Sequence, residues 1–105
     1  MDFKALGEQL GLDEDEYREL IDLFIESGGD DYQKLLDGVA SGDADAVRNS
    51  AHTIKGASGN LGLLEVSEVA SSIEASAMEN NLDDIGQAVE KLKTQFEAIQ
   101  AFVQK

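Results

Sequence analysis

Apolar residues return every three or four positions along almost the whole chain, the period of helices that each bury one face. Phe3, Leu6 and Leu10 predict a short first helix, with Gly11 just past its end. Asp13 followed by Glu16 has the spacing of a capping box, and Tyr17, Leu20, Ile21 and Phe24 then share one face of a strong helix. Gly28 and Gly29 interrupt this pattern, yet Tyr32, Leu35, Leu36 and Val39 resume it in phase. Each glycine costs roughly 1 kcal/mol in a helix interior, which favours a kink or break at the pair. Residues 13–41 are thus one kinked helix or two nearly in line.

Gly42 ends that stretch and Asp43 can cap a third helix, which runs to about Leu61 with Gly62 at its exit. Leu64, Val69, Ile73 and Ala77 mark the next, ending near Asn80 and Asn81. Ile85, Val89, Leu92, Phe96, Ile99 and Val103 form the clearest stripe, nearly a coiled-coil seam. The connections are short, so neighbours should run antiparallel. The expected fold is all-α: an antiparallel four-helix bundle with a short additional N-terminal helix, in one domain over residues 1–105. No internal repeat, linker or low-complexity tract is visible.

Composition narrows the function classes. Proline is absent, and Ala, Leu, Glu, Gln and Lys are plentiful, which suits helices. There is no cysteine, which excludes disulfides, thiolate metal sites and cysteine nucleophiles. With one histidine besides, a zinc site has no ligand set. The net charge of -14 opposes nucleic acid and anionic lipid as partners. No apolar run approaches a membrane span, and the first residues lack the basic and apolar regions of a signal peptide, so a cytoplasmic monomer is expected. The initial methionine and compact ends favour a free-standing protein over a piece of a larger one. Asp13-Glu14-Asp15-Glu16 lacks the alternating ligands and central glycine of a calcium loop. Gly28-Gly29 is not followed by the Lys-Ser/Thr of a phosphate cradle.

The chemistry gathers around the lone histidine. With His52 as origin and about 100° per residue, Val47, Ser50, Ile54, Ala57 and Leu61 fall between about 140° and 220° and define the buried face. His52 therefore points to solvent. Arg48, Lys55, Gly56 and Gly59 lie within about 60° of it on the same side. Two cations flank the imidazole, and two glycines weaken the helix beside it unless clearance for another molecule offsets the loss. A neutral imidazole can attack phosphorus, and phosphoryl transfer then needs positioning and charge neutralisation. Lys55, one turn away, suits the second task.

Residues 52–63 read His52-Thr53-Ile54-Lys55-Gly56-Ala57-Ser58-Gly59-Asn60-Leu61-Gly62-Leu63. This resembles the signature of histidine-containing phosphotransfer (HPt) domains, roughly H-x-[LI]-K-G-x-x-x-x-[LVF]-G, with every fixed position matched. Leu20 to Ile25, Ser41-Gly42-Asp43 and Ile73-Glu74 extend the resemblance over nearly the whole chain. It implies an exposed phosphorylated histidine midway along one helix of a four-helix bundle. It also implies exchange of the phosphoryl group between His52 and receiver-domain aspartates, with Lys55 holding that group and Gly56 giving the receiver room.

One position departs from several family members. A glutamine there bonds the histidine ring or its phosphoryl group, and Glu74 corresponds to it here. A carboxylate can accept from Nδ1–H and fix the tautomer, leaving Nε2 to attack, though it repels a phosphoryl group placed too near. Arg48, Gly56 and Gly59 are the expected docking positions. The expected partners are a response-regulator receiver domain and a sensor or hybrid histidine kinase. No cofactor of its own is expected, Mg2+ arriving with the receiver's acidic site. No nucleotide-binding loop is present, so the protein should not phosphorylate itself from ATP. Whether such a carrier counts as an enzyme is a matter of definition. The rival reading is a non-catalytic helical adaptor that docks a partner through the His52 face.

Overall fold

The computed structural model describes residues 2–103, and among them the regular structure is entirely helical. The helices are α1 (Phe3–Gln9), α2 (Glu14–Ser41), α3 (Ala44–Asn60), α4 (Leu64–Met78) and α5 (Gly86–Val103). Helix α2 packs on α3, α3 on α4 and α4 on α5, and α5 returns to α2, while α1 lies against α2. This closed ring of four helices, with α1 added, is the expected bundle.

The helix ends are set locally. Asp2 accepts a hydrogen bond from the Ala5 N–H and caps α1. Asp13 and Glu16 form both halves of the expected capping box, at 2.8 and 3.1 Å. Asp43 accepts from the Ala46 N–H and starts α3. Gly42, at φ +70°, turns the chain from α2 into α3 in the left-handed region where a side chain would be strained. Helix α4 has no side-chain cap, because its N-cap residue, Leu63, is buried instead.

The core holds Tyr17, Ile21, Phe24 and Leu35 of α2 and Val47, Ala51 and Ile54 of α3. Ala70 and Ile73 of α4 and Leu92 and Ile99 of α5 complete it. The Tyr17 hydroxyl donates to the Leu61 carbonyl and ties the start of α2 to the end of α3. Burial pushes the Tyr17 phenol above its ordinary pKa. At Gly38 the approach of α2 and α3 is close: a Cβ would lie 2.9 Å from Val47 Cγ2.

The structure corrects the reading of Gly28 and Gly29. Helix α2 is a single 28-residue helix that passes through the pair without a break. Its packing explains the first glycine. A Cβ on Gly28 would lie 2.8 Å from Phe96 Cε1, and the Phe96 ring stacks on Phe24 at 5.4 Å between centroids. Gly28 thus makes room for a ring on α5, while a Cβ on Gly29 would meet open space. Leu10, Leu20 and Leu64 also differ from the pattern, since all three are exposed. Leu10 falls at the C-cap of α1, beyond its last turn. Leu64 opens α4, whose buried stripe starts instead at Val66.

Two adjacent glycines should therefore respond oppositely. Gly29→Ala should stabilise the protein by up to roughly 1 kcal/mol through helix propensity. Gly28→Ala should destabilise it by about 1–2 kcal/mol, because overpacking against Phe96 exceeds that gain. Urea unfolding of both variants checks the ordering, and a stabilised Gly28→Ala would remove the packing account. Asp13→Ala should cost about 1 kcal/mol in the same measurement by removing the cap of α2.

Candidate functional site

Helix α3 buries Val47, Ser50, Ala51, Ile54 and Ser58, which turns the opposite side to solvent. His52 lies on that side with its side chain 68% exposed. Ser58 is buried without an unpaired group, because its hydroxyl donates to the Ile54 carbonyl one turn earlier at 2.7 Å. The small side chain lets α4 pass close by. The Ser67 hydroxyl of α4 donates to the Lys55 carbonyl at 3.2 Å, and two turns further on Glu74 reaches His52. Moving back along α3 is thus moving forward along α4, and the two helices are antiparallel.

Glu74 is the centre of the arrangement. Its Oε2 is 2.6 Å from His52 Nδ1 and its Oε1 accepts from Lys55 Nζ at 2.8 Å. Only 13% of its side chain is exposed, against 35% for Lys55. The hydrogen bond from Lys55 holds the Glu74 carboxyl below the usual carboxylate range, aided by His52 and opposed by partial burial. An ionised carboxylate only accepts hydrogen bonds, so Nδ1 carries the proton facing it. In the neutral ring Nε2 then keeps its lone pair.

The structure therefore brings His52, Lys55 and Glu74 together, on two helices. It does not bring Arg48 into contact with them: the guanidinium pairs with Asp45 at 3.9 Å, within the first turns of α3. Gly56 is exposed, and a Cβ there would meet nothing within 4 Å. A Cβ on Gly59 would lie 3.5 Å from Ser67 Oγ, an ordinary contact, so Gly59 borders the α4 seam. The sequence reading treated Lys55 and Glu74 separately and missed both their ion pair and Ser67. The antiparallel register was the available signal, since residues 55 and 67 close the α3–α4 connection and 52 and 74 follow from it.

The geometry agrees with what the chain is similar to. The structure of histidine-containing phosphotransfer protein B (HptB) from Pseudomonas aeruginosa PAO1 superposes with a TM-score of 0.85 at 27% identity. The match covers 99% of this chain and 90% of that one. No curated protein sequence matches the chain. The family model of the Hpt domain matches residues 19–102, a span that contains His52, Lys55 and Glu74, the whole of α3 and α4 and most of α2 and α5. The chain belongs to the Hpt domain family.

Proposed function

We propose that this protein is a phosphorelay intermediate that carries a phosphoryl group on His52 Nε2 and exchanges it with the aspartate of a receiver domain. A sensor or hybrid histidine kinase is the other source of the group. The observation that carries this reading is the exposed His52 ring held at Nδ1 by Glu74, within the matched Hpt domain. The bond fixes the tautomer that leaves Nε2 nucleophilic. The ring is thereby oriented before a partner arrives, which is the part of the barrier a carrier can lower by itself.

Lys55 neutralises phosphoryl charge in this reading. Its ammonium has three donors, so it can keep Glu74 while offering a proton to a phosphoryl oxygen. Gly56 leaves the exposed face of α3 low enough for a receiver to bring its aspartate to His52, and Arg48 and Gly59 border the same face. Mg2+ belongs to the receiver's acidic site, where it neutralises the aspartyl phosphate. Localisation in the cytoplasm and a monomeric state accompany the proposal. Among the described residues no helix is long and apolar enough to cross a membrane.

Incubation with a phosphorylated receiver tests the assignment. Wild-type protein should gain an acid-labile, base-stable phosphoryl group, and His52→Gln should gain none while its melting temperature stays unchanged. Label on the variant would overturn the choice of residue, and no label on either protein with any receiver or kinase of the same cell would leave the adaptor reading. Gly56→Gln separates docking from folding. It should keep or raise the melting temperature, yet slow single-turnover transfer by at least about tenfold through obstruction of the approach. Normal transfer in the folded variant would remove the clearance argument.

A further inference from the structure

The carboxylate at the back of the ring bears on how the phosphoryl group leaves as well as on how it arrives. When Nε2 attacks the donor's aspartyl phosphate, the N–P bond forms and the P–O bond to the aspartate breaks. The electron pair of that P–O bond departs with the aspartate carboxylate. The ring still holds the Nδ1 proton and has become an imidazolium. Its later fate depends on that proton. If the proton is retained, N–P cleavage releases a neutral imidazole. If it is lost to water, cleavage must release an imidazolate, a far poorer leaving group, and the phosphoryl group is kept.

We propose that the Glu74 carboxylate retains the Nδ1 proton of phosphorylated His52, so that the phosphoryl group sits on an imidazolium and is poised to leave. The inference rests on the carrier reading above and adds to it a control of lability. Loss of the proton would leave a ring lone pair facing a carboxylate oxygen at 2.6 Å, two acceptors with no hydrogen between them. A carboxylate cannot relieve this by turning over, whereas an amide can present its NH2. Lys55 Nζ, 2.8 Å from the other Glu74 oxygen, adds to the preference of that carboxyl for its ionised form.

The other charges around the ring do not offer a substitute. On α3, Arg48 turns to Asp45. On the opposite flank, Lys34 and Asp37 of α2 line a groove with Asn49 and Ser50, the side of α3 away from Glu74. Helices α1 and α5 do not pack on α3. Among the described residues the ion-pair contact of His52 is with Glu74. Glu74 is thus a positioning residue that acts through the ring nitrogen remote from phosphorus.

The test uses phosphoramidate, a small phosphoryl donor that needs no partner protein. Wild type and Glu74→Gln are labelled, freed of donor and followed between about pH 6 and about pH 9, a window around the ordinary histidine range. Phosphate release gives the lifetime, and the 15N resonance of Nδ1 reports its protonation. In Glu74→Gln the midpoints of both profiles should fall by about one pH unit or more, and the lifetime near pH 8 should lengthen about tenfold. The comparison is repeated with Lys55→Ala in both proteins, because Glu74→Gln also frees Lys55. The shift should persist there. Coincident profiles, or a shift that vanishes without Lys55, would overturn the inference. Separated profiles with no transfer to any receiver would overturn the carrier reading instead, and failure of both phosphoramidate and every phosphorylated receiver to label His52 would overturn both.

Discussion

Helices α3 and α4 lie close because the residues between them are small. Ala51 and Ser58 on α3 and Ala70 and Ala77 on α4 are buried, and by helical phase they fall on the facing sides. Close approach is what lets one carboxylate on α4 bridge two side chains of α3. Had this seam been filled by leucines, Glu74 would stand farther from the ring. His52 would then be an exposed histidine with no fixed tautomer. The seam also accounts for Ser67, whose hydroxyl reaches the Lys55 carbonyl across the same narrow gap.

The rest of the bundle supports this pair from behind. Tyr17 of α2 holds the end of α3 through the Leu61 carbonyl, and Gly38 lets α2 sit against Val47 near its start. Phe96 of α5 takes the space left at Gly28, so α2 is gripped between α3 and α5 without a break. Side chains mounted on packed helices are held more tightly than side chains on loops, which keeps the His52 ring and the Glu74 carboxylate in register. The exposed face of α3 lies outside these contacts. It can change residue by residue at little cost to the fold.

Charge is used sparingly at the site. In a chain of net charge -14, Lys55 and Arg48 place two cations on the His52 side of α3. Lys55 is not idle in the free protein, since it balances Glu74. The half-buried carboxylate is thereby stable beside the ring. The three side chains act as one unit, and replacing one alters what the other two can do.

How much could be read from the chain follows from the range of each cause. The capping box at Asp13 and Glu16, the turn at Gly42 and Asp43 and the outward phase of His52 depend on neighbours within about four residues, and periodicity displays such relations directly. The HPt-like motif around His52 is equally local. Where the cause lay on another helix, the pattern misled or stayed silent. Gly28 read as a helix breaker because Phe96 was invisible from it, and Leu20 and Leu64 read as core because spacing alone cannot say which face finds a partner. Glu74 could be named from the resemblance, but its simultaneous hold on His52 and Lys55 is a property of the α3–α4 register. The sequence by itself determined the helical class, the caps of α2 and α3 and the exposure of the histidine, because those are set by short-range sterics and hydrophobic period. Only the tertiary structure decided which nitrogen of that histidine is free, because the bond that decides it joins residues brought together by packing.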